Sequence, residues 1–412
     1  MYTPKPRKEQ LEFLNWEMGA FFHFGIRTFF EGHKDWDGKP MPLEGFNPTE
    51  LNCESWIKTV CSAGLKYAVL VCKHHDGFAN WPSKFSNYHV GLTPWQNGKG
   101  DVVEEFVTAC RKHDVKVGLY YSPAEAEYEK LSPKEYDDYF INQISELLTN
   151  YGKIDYLWFD GCGSEGHEYD KPRIIEAIRA LQPNILIFNM WDPDTRWVGN
   201  EGGAAGVANT NVVDSVDFSV LAIEKEELTE PRFLPTECDF MMRRRNWFYS
   251  EYDVHTVKSV EELVGLYYYS VGCGSNFLVN ISPDRRGLLP ETDADRLLAF
   301  SKKIANRFSS PIPYTLKETE DGISMALNAE QLINHVILAE DLTNGEMIEE
   351  FSVHIKNGII YRPVCVYTGK TVGNKRIITF PQIKATEIII KIEKSRGKVS
   401  FKKPETFYIK AL

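Results

Sequence analysis

The feature that most constrains this chain is a rhythm of short apolar runs that alternate with amphipathic, charged segments from residue 18 to about residue 300. Near-continuous apolar strands separated by helices are typical of a parallel sheet covered on both faces. Seven or eight such units over about 280 residues predict a (β/α)8-like barrel, with a doubly wound open sheet as the main alternative. No GxGxxG sequence follows the first run, which counts against the Rossmann form of that alternative. The runs are GAFFHFG (19–25), YAVLVCKHHDG (67–77), KVGLYYSP (116–123), DYLWFDG (155–161), ILIFNMW (185–191), RFLPTECDF (232–240) and NFLVNISPD (276–284).

Three of the intervening segments carry helix signals. Residues 52–64 begin with Asn52 as a helix cap and end on Gly64, and residues 101–114 begin with an acidic cap and end in basic residues. Residues 132–152 have a proline in the first turn and a glycine just past the end. These segments predict helices between the strands of the barrel.

The pattern changes after the segment SSPIPY at 309–314, where short alternating strands replace the strand–helix rhythm. Asn-Gly pairs at 344–345 and 357–358 separate these strands, as they do in β-hairpins. We therefore predict two domains, a catalytic (β/α)8-like barrel over residues 1–308 and an antiparallel β-sandwich over residues 309–412.

Composition and charge narrow the possible partners. The net charge of −11 disfavours binding to nucleic acid or to an anionic membrane surface, and no apolar stretch reaches the length of a membrane span. None of the eight cysteines form a CxxC pair with zinc spacing, and we expect mostly free, buried thiols. The N-terminus has no apolar signal region, so we expect a cytoplasmic protein, or a secreted or periplasmic one if a signal was removed. The oligomeric state stays open.

Polar or aromatic side chains close most of the predicted strands. Because the active sites of barrel enzymes lie at the C-terminal rim of the barrel, we expect these side chains to share one cleft. The residues that close the first six runs are His23; His74, His75 and Asp76; Tyr120, Tyr121 and Ser122; Asp160; Asn189 and Trp191; and Glu237 and Asp239.

Asp160, in the segment LWFDG, is the strongest candidate for a catalytic group. A carboxylate that follows a buried aromatic strand, with Gly161 allowing a close approach of a ligand, suits a nucleophile, a general base or a metal ligand. For a second carboxylate, Glu201 lies in the glycine-flanked loop DTRWVGNEGG and Glu237 lies more rigidly at a strand end. Two carboxylates that face one scissile bond are the arrangement of glycoside hydrolysis. The residues alone do not decide between Glu201 and Glu237.

The adjacent histidines His74 and His75 support two interpretations. Together with His23, Asp76 and Asp160 they could bind a metal ion, which would make the chain a metal-dependent barrel hydrolase. The first run lacks the HxH pair that is common in metal-dependent barrels. Neutral histidines and a nearby tryptophan equally suit the hydroxyl groups and the apolar face of a sugar.

Seven sequence motifs carry a resemblance to a known family. They are FFHFGIRTF, KDWDGK, the segment around KHHDGF, NGKGDVVEEFVTACRKHDVKVGLYYSP, WFDG, RWVGNEGG and NFLVNISPDRRGLLP. From about residue 10 to about residue 300 the chain resembles the α-L-fucosidases of glycoside hydrolase family 29. This resemblance implies a (β/α)8-like TIM barrel followed by a C-terminal antiparallel β-sandwich. It also implies a retaining double displacement that uses no metal and no other cofactor.

The resemblance assigns roles to individual residues. Asp160 in WFDG matches the nucleophile of the family. Glu201 in RWVGNE is similar to the general acid/base of the subfamily that cleaves α-1,3 and α-1,4 fucosyl branches, and Glu237 is the second candidate. The residues that the resemblance assigns to the sugar pocket are His23, His74 and His75, Tyr120 or Tyr121, Trp36 in KDWDGK, and Arg196 and Trp197 on the acid/base loop.

The predicted function is therefore hydrolysis of terminal α-linked L-fucose from a fucosylated oligosaccharide or glycoconjugate. The resemblance favours a retaining mechanism and α-1,3 or α-1,4 linkages. Two alternatives are a metal-dependent TIM-barrel hydrolase and a non-catalytic fucose-binding protein.

Overall fold

The computed structural model describes residues 3–32, 34–35, 37–125, 130–164, 167–220, 225–359 and 362–410. In the first three quarters of this described chain, short strands alternate with helices, as the sequence predicts. These strands are β1 (Met18–Phe22), β2 (Tyr67–Lys73), β3 (Lys116–Tyr121), β4 (Tyr156–Phe159), β5 (Leu186–Phe188), β6 (Arg196–Trp197), β7 (Val212–Val216), β8 (Glu226–Phe233), β9 (Thr236–Met241) and β10 (Asn276–Asn280).

All of these strands except β7 and β8 form one sheet of parallel strands. Its order is β5-β4-β3-β2-β1-β10-β9-β6. A further parallel bridge joins Phe188, at the end of β5, to Thr195, just before β6, so the two edges of the sheet meet. The predicted barrel is confirmed.

Most helices connect the strands and cover the outside of the barrel, whereas the first helix precedes the first strand and packs against the inner cluster. Within the described residues they are α1 (Lys8–Trp16), α2 (Cys53–Ser62), α3 (Val102–Lys112), α4 (Pro133–Asn150), α5 (Lys171–Leu181), α6 (Val260–Tyr269) and α7 (Glu291–Arg307).

The three helices predicted from their caps are confirmed. The Asn52 side chain accepts a hydrogen bond from the backbone N–H of Ser55 at the start of α2. The Asp101 side chain caps α3 in the same way. At the start of α4, Ser132 and Glu135 cap each other's backbone N–H groups reciprocally. Each cap provides a partner for N–H groups that the first helical turn leaves without one.

The sixth apolar run differs from its prediction as a single strand. The structure ends β8 at Phe233 and begins β9 at Thr236, with Pro235 between them. Proline has no N–H to donate to a strand ladder, so it interrupts the pairing. The strand β8 instead pairs antiparallel with β7 in a separate hairpin, and only β9 belongs to the barrel.

Alternate residues of each barrel strand face the inside and the outside of the barrel, as the two-residue period of a strand requires. Along β2, for example, Tyr67, Val69 and Val71 belong to an aromatic-rich inner cluster. Their neighbours Ala68, Leu70 and Cys72 belong to the larger outer cluster between sheet and helices. Phe13 and Trp16 of α1 pack against the inner cluster.

The C-terminal quarter of the described chain forms a six-stranded antiparallel sheet. Two long strands dominate it, and register shifts between them interrupt their pairing. The side chains of this sheet bury a separate hydrophobic core. Its strands are β11 (Tyr314–Thr319), β12 (Gly322–Leu338), β13 (Ile348–Lys356), β14 (Val364–Gly369), β15 (Arg376–Ser395) and β16 (Glu405–Phe407).

The fold class predicted from the sequence, a barrel followed by a β-sandwich domain, is confirmed. The helix α7 ends at Arg307 and β11 begins at Tyr314. The boundary between residues 308 and 309 stays a prediction within that connection. Among the described helices, none has the length and apolar character needed to cross a membrane.

Candidate active site

The C-terminal ends of the barrel strands surround a cavity of about 350 Å³. Most of its wall comes from residues at or just after the strand ends, which is where parallel barrels place their active sites. The residues predicted from the sequence that line it are His23, His74, His75, Tyr120, Asp160, Trp197 and Glu201.

Asp160 follows β4 directly and lies in the wall of this cavity, with its side chain 23% exposed. Its Oδ2 accepts a hydrogen bond of 2.7 Å from the Tyr120 hydroxyl, and its Oδ1 accepts one of 2.9 Å from the backbone N–H of Cys162. The ring atom Nε2 of His75 lies 3.5 Å from Oδ2. Burial acts to raise the pKa of Asp160, but His75, Cys162 and Tyr120 together outweigh burial and hold that pKa below its ordinary value. The carboxylate form is therefore favoured.

Gly161, directly after Asp160, lies against the backbone of Phe218. A Cβ atom at this position would collide with the backbone oxygen of Phe218. Phe218 lies in the connection between β7 and β8 and lines the cavity beside Asp160. The sequence predicted that this glycine admits a ligand, but the group that approaches it closely is the protein's own backbone.

Glu201 lies four residues beyond β6, on the loop that the sequence singles out. It is an exposed residue whose carboxyl group lines the cavity. Partial burial of that carboxyl raises its pKa, and the negative charges of Asp160 and Asp35 raise it further, against a hydrogen bond with the Trp247 side chain that lowers it. Because the pKa of Glu201 is raised and that of Asp160 is lowered, the two carboxyl groups favour different protonation states in one cavity.

Glu237 and Asp239 lie two residues apart on β9 and face the inside of the barrel at different depths. Glu237 is fully buried and accepts hydrogen bonds from Tyr67 (2.6 Å), Tyr156 (3.3 Å) and Trp158 (2.8 Å). Burial raises its pKa to about 7 although these three donors act to lower it. Among the described residues, Glu237 is not one of those that line the cavity. It is the second residue of β9, whereas the sequence predicted that it lies at the end of a strand.

Asp239, one layer nearer the rim, does line the cavity. It is buried and accepts a 2.7 Å hydrogen bond from the indole of Trp197. Burial and the charge of Glu201 raise the pKa of Asp239 well above its ordinary value. The sequence analysis expected Asp239, as a strand-closing residue, to lie in the shared cleft but gave it no catalytic or binding role.

The three predicted histidines converge on the cavity from β1 and β2. The ring of His74 lies 5.6 Å from that of His23 and 4.2 Å from that of His75, centroid to centroid. Burial lowers the pKa of His23 to about 3 and that of His74 well below its ordinary value, so both rings are neutral near pH 7. Neutral rings are hydrogen-bond partners for hydroxyl groups.

The orientation of the His23 ring is set by Asn280. The amide nitrogen Nδ2 of Asn280 donates to the backbone oxygen of Trp247 at 2.7 Å, so its oxygen Oδ1 faces the ring. Oδ1 lies 2.8 Å from Nδ1 of His23 and can only accept, which places the ring proton on Nδ1. The other ring nitrogen, Nε2, is left as an acceptor.

The side chains of the two candidate tyrosines point to opposite sides of β3, because neighbouring residues on a strand face opposite sides. Tyr120 faces the barrel interior and lines the cavity. Tyr121 faces the helices and donates a 2.7 Å hydrogen bond to Gln143 of α4. Tyr120 is thus the tyrosine that the structure brings to the site.

The remaining predicted residues have mixed placements. Trp197 lines the cavity, but the neighbouring Arg196 turns away and donates hydrogen bonds of 2.9 Å to the side chain of Asn209 and the backbone of Thr210. The expected contact of Arg196 with substrate does not match this placement, again because strand neighbours diverge. Trp36 lies outside the described residues.

Asp76 is also absent from the cavity wall among the described residues. Its Oδ2 lies 3.2 Å from Nε of Arg27, in a buried ion pair. The described residues that could jointly ligate a metal ion are His74, His75 and Asp160, whose ligand atoms all lie within 4.8 Å of one another. All three of these residues also line the cavity.

Several cavity residues carry no clear sequence signal. Asp35 lies in the segment after β1, is buried, and accepts a 2.6 Å hydrogen bond from the backbone N–H of Trp247. Burial raises the pKa of Asp35 to about 6. Trp247 follows β9 and is detectable from sequence only once β9 is recognised as a barrel strand. The aromatic floor, in contrast, is readable from the apolar strands that supply Phe21, Trp158 and Phe188.

An eight-stranded barrel whose rim brings two carboxyl groups, histidines and aromatic rings into one cavity is typical of a glycoside hydrolase. The family model for alpha-L-fucosidase matches residues 3–306. The chain belongs to the alpha-L-fucosidase family of glycosidases.

Individual relatives agree with this placement. The chain is 30% identical to alpha-L-fucosidase 1 of Arabidopsis thaliana over 95% of its own length and 85% of that protein. It is similar to the crystal structure of a glycoside hydrolase 29 family member from an unknown rumen bacterium, with a TM-score of 0.89, 29% identity, and coverage of 100% of this chain and 78% of that one. A fucosidase of the same family from Ruminococcus gnavus, solved in complex with fucose, has a TM-score of 0.86, 25% identity, and coverage of 99% and 96%.

Proposed function

We propose that the chain hydrolyses terminal α-linked L-fucose by a retaining double displacement in which Asp160 is the nucleophile and Glu201 is the general acid/base. The observation that carries this proposal is the opposite displacement of the two pKa values within one cavity. A nucleophile must be ionised, and a general acid must hold its proton near neutral pH. The membership of the chain in the alpha-L-fucosidase family supports the choice of sugar.

In the first step, Asp160 attacks the anomeric carbon while Glu201 donates a proton to the leaving oxygen. The bond from carbon to the aglycone breaks and a covalent fucosyl–Asp160 ester forms. In the second step, Glu201 takes a proton from water, and the water oxygen displaces Asp160. Retaining glycosidases hold the two carboxyl groups about 5–5.5 Å apart, and the Glu201 loop is expected to meet this separation when substrate is bound.

The pKa of Glu201 is expected to change during the reaction. The negative charge of Asp160 is one cause of the raised pKa of Glu201. When Asp160 becomes an ester, that charge disappears and the pKa of Glu201 falls. Glu201 is therefore an acid when the first step needs a proton donor and a base when the second step needs an acceptor.

The histidines and Tyr120 are proposed to bind the fucose hydroxyls. His23 presents Nε2 as an acceptor, and Tyr120 already donates to Asp160. Polar groups of a buried site that lose their partners are costly, so this wall favours the sugar whose hydroxyls match it. The aromatic floor of Phe21, Trp158 and Phe188 offers an apolar surface for the fucose ring and methyl group.

Azide rescue tests both roles. The Asp160→Gly variant is expected to lose turnover of an aryl α-L-fucoside and to regain part of it with azide, giving the β-fucosyl azide. The Glu201→Ala variant is expected to be rescued through the ester and to give the α-fucosyl azide. The configuration of each product, read by NMR, separates the two roles.

The matched control is Glu237→Gln, which replaces a carboxyl group in the same barrel with an amide. Because Glu237 lies below the cavity and is bound by three donors, azide is expected to have no effect on this variant. Full activity of Glu201→Ala on a substrate with a poor leaving group would show that Glu201 is not the acid.

We also propose α-1,3 and α-1,4 fucosyl branches as the substrates, because RWVGNE resembles the acid/base segment of the subfamily with that preference. The test is a digest of branched α-1,3/1,4 fucosylated oligosaccharides beside linear α-1,2 fucosylated ones. Faster release from the linear substrates would overturn this preference and leave the proposed mechanism intact.

A further inference from the structure

A buried serine next to the cavity contacts the ring of His75. Ser122 directly follows β3 and is fully buried. Its Oγ lies 2.6 Å from Nδ1 of His75 and 2.6 Å from the backbone oxygen of Ala124. The distance between the two oxygen atoms is in the range of O–H···O hydrogen bonds, and the distance between Nδ1 and Oγ is slightly shorter than the usual N–H···O range.

The hydroxyl of Ser122 has a single proton, and this determines the direction of both of its hydrogen bonds. A backbone carbonyl can only accept, so the single hydroxyl proton of Ser122 is donated to Ala124. The other contact of Oγ must then be donated by the ring, which places a proton on Nδ1 of His75. Ser122 therefore acts as an acceptor toward His75.

The geometry of this contact is fixed by the surrounding structure. The backbone N–H of Ser122 donates to the backbone oxygen of Lys73, at the end of the strand that carries His75. The ammonium group of Lys73 forms a fully buried 2.8 Å ion pair with Glu125, three residues after Ser122. Because these two contacts join the end of β3 to the end of β2, Ser122 and His75 are held together from both sides.

The consequence appears at the opposite side of the ring, where Nε2 of His75 lies 3.5 Å from Oδ2 of Asp160. A ring with its only proton on Nδ1 presents Nε2 as an acceptor. A second proton on Nε2 makes the ring a cation that pairs with Asp160. The arrangement excludes a third state, the neutral ring with its proton on Nε2 donated to Asp160.

We propose that Ser122 is a positioning residue that excludes this third state, so that His75 pairs with Asp160 only as a cation and, when neutral, accepts a hydrogen bond from a fucose hydroxyl through Nε2. The distance of 3.5 Å between Nε2 and Oδ2 is longer than an N–H···O hydrogen bond, and a hydroxyl hydrogen can approach both atoms. Asn280 holds the proton of His23 on Nδ1, so Nε2 of His23 is also a hydrogen-bond acceptor. Two rings of the pocket are thus preset as acceptors for sugar hydroxyls.

This proposal rests on the proposed binding of fucose between His75 and Asp160, and its first test does not depend on activity. NMR of the ¹⁵N-histidine-labelled enzyme, with His75 assigned from a His75→Gln sample, reports which nitrogen of the neutral ring is protonated. We expect Nδ1 in the wild type and Nε2 in Ser122→Ala. A wild-type ring with its proton on Nε2 would overturn the proposal, even if azide rescue supported Asp160 as nucleophile.

The second test uses substrates that cannot donate. Monodeoxyfluoro fucosides replace one hydroxyl with fluorine, which accepts weakly and does not donate. For each ring position, we compare kcat/KM of the hydroxyl substrate with kcat/KM of the fluoro substrate. At one position this ratio is expected to be about tenfold larger in the wild type than in Ser122→Ala, because tenfold corresponds to the contribution of one hydrogen bond. The inductive effect of fluorine is common to both enzymes and cancels in this comparison.

Two further variants separate positioning from a loss of stability. Ser122→Thr keeps the hydroxyl and is expected to restore the wild-type ratio. Ser270→Ala removes a buried serine hydroxyl that donates to the backbone oxygen of Leu266, away from the cavity. It is expected to keep the wild-type ratio. Equal ratios in the wild type and Ser122→Ala at every ring position would contradict the proposal.

Discussion

The hydroxyl of Tyr120 lies 2.7 Å from Oδ2 of Asp160 and donates a hydrogen bond to it. Tyr120 is fully buried on the inner face of the barrel and stacks on Trp158, with ring centroids 5.3 Å apart. The tyrosine therefore fixes one oxygen of the carboxylate that is proposed to attack the sugar. It is also one of the contacts that hold the pKa of Asp160 below its ordinary value.

Removing this donor is expected to raise the pKa of Asp160. In Tyr120→Phe, Asp160 becomes protonated at a higher pH, so the acidic limb of the kcat/KM profile moves to higher pH. A hydrogen bond to a charged group contributes about 1.5–3 kcal/mol, so kcat/KM is expected to fall by about 10- to 100-fold. Steady-state kinetics with an aryl fucoside across pH measure both effects.

Tyr121→Phe is the matched control, because the neighbouring tyrosine donates to Gln143 outside the cavity. This variant is expected to lose about 1 kcal/mol of unfolding free energy and to keep the pH profile of the wild type. An unshifted acidic limb in Tyr120→Phe, or an equal shift in Tyr121→Phe, would contradict the assignment.

Trp247→Phe is expected to make Glu201 a weaker acid. The hydrogen bond with the Trp247 side chain lowers the pKa of Glu201, against the larger effects of burial and of Asp160. Without it the pKa rises, Glu201 stays protonated to higher pH, and the basic limb of the kcat/KM profile moves to higher pH. Phenylalanine keeps an aromatic ring beside His23, and the backbone hydrogen bonds of residue 247 to Asp35 and Asn280 do not depend on the side chain. A basic limb that moves to lower pH would contradict this role.

Glu237→Gln is expected to destabilise the fold more than it affects chemistry. The carboxyl group receives three hydrogen bonds, and an amide would turn its NH₂ group toward at least one of those donors. A buried donor left without a partner costs about 1–3 kcal/mol of unfolding free energy. Denaturant titration measures this loss, while kcat with an aryl fucoside measures the chemistry.

The cost of Glu237→Gln is also expected to depend on pH. The pKa of Glu237 is about 7 in the folded chain and about 4.5 when unperturbed. Between these values the folded state binds more protons than the unfolded state, so this group's contribution to stability falls as pH rises. The Glu237→Gln variant has no carboxyl group at this position, so its free energy of unfolding lacks this pH dependence. The difference in unfolding free energy between the wild type and the variant is therefore expected to be largest near pH 5 and smaller near pH 7. A deficit that grows toward pH 7 would show that the pKa of Glu237 is not raised.

Metal removal separates the glycosidase mechanism from the metal-dependent alternative. His74, His75 and Asp160 are close enough to ligate an ion, yet the proposed mechanism assigns all three to the sugar. We expect a chelator to leave kcat/KM within about twofold of the untreated enzyme and added Zn²⁺ to inhibit competitively with substrate. Loss of activity on chelation, with recovery on adding a divalent metal, would favour a metal-dependent hydrolase.

The barrel and its rim could be predicted from the sequence because both depend on local patterns. Apolar runs near the length of a strand, separated by capped helices, indicate a parallel sheet wherever the chain places it. The polar residue that closes the apolar part of each run then lies at the C-terminal rim, as Asp160 and His23 do. The two-residue strand β6 and the split at Pro235 escaped prediction because neither is long enough to show a period.

The choice between neighbouring residues depended on the tertiary structure. Sequence spacing shows that Tyr120 and Tyr121 face opposite sides of β3, but only the closed barrel determines which side is the interior.

The amino-acid sequence by itself determined the strand–helix order and the position of Asp160 at the rim, since each follows from the pattern of residues within a short segment. The tertiary structure decided that Glu237 lies beneath the cavity while Glu201 reaches it, and that Ser122 meets His75. These relationships join side chains from different strands, whose depth and direction are set only when the sheet closes and its inner face is packed.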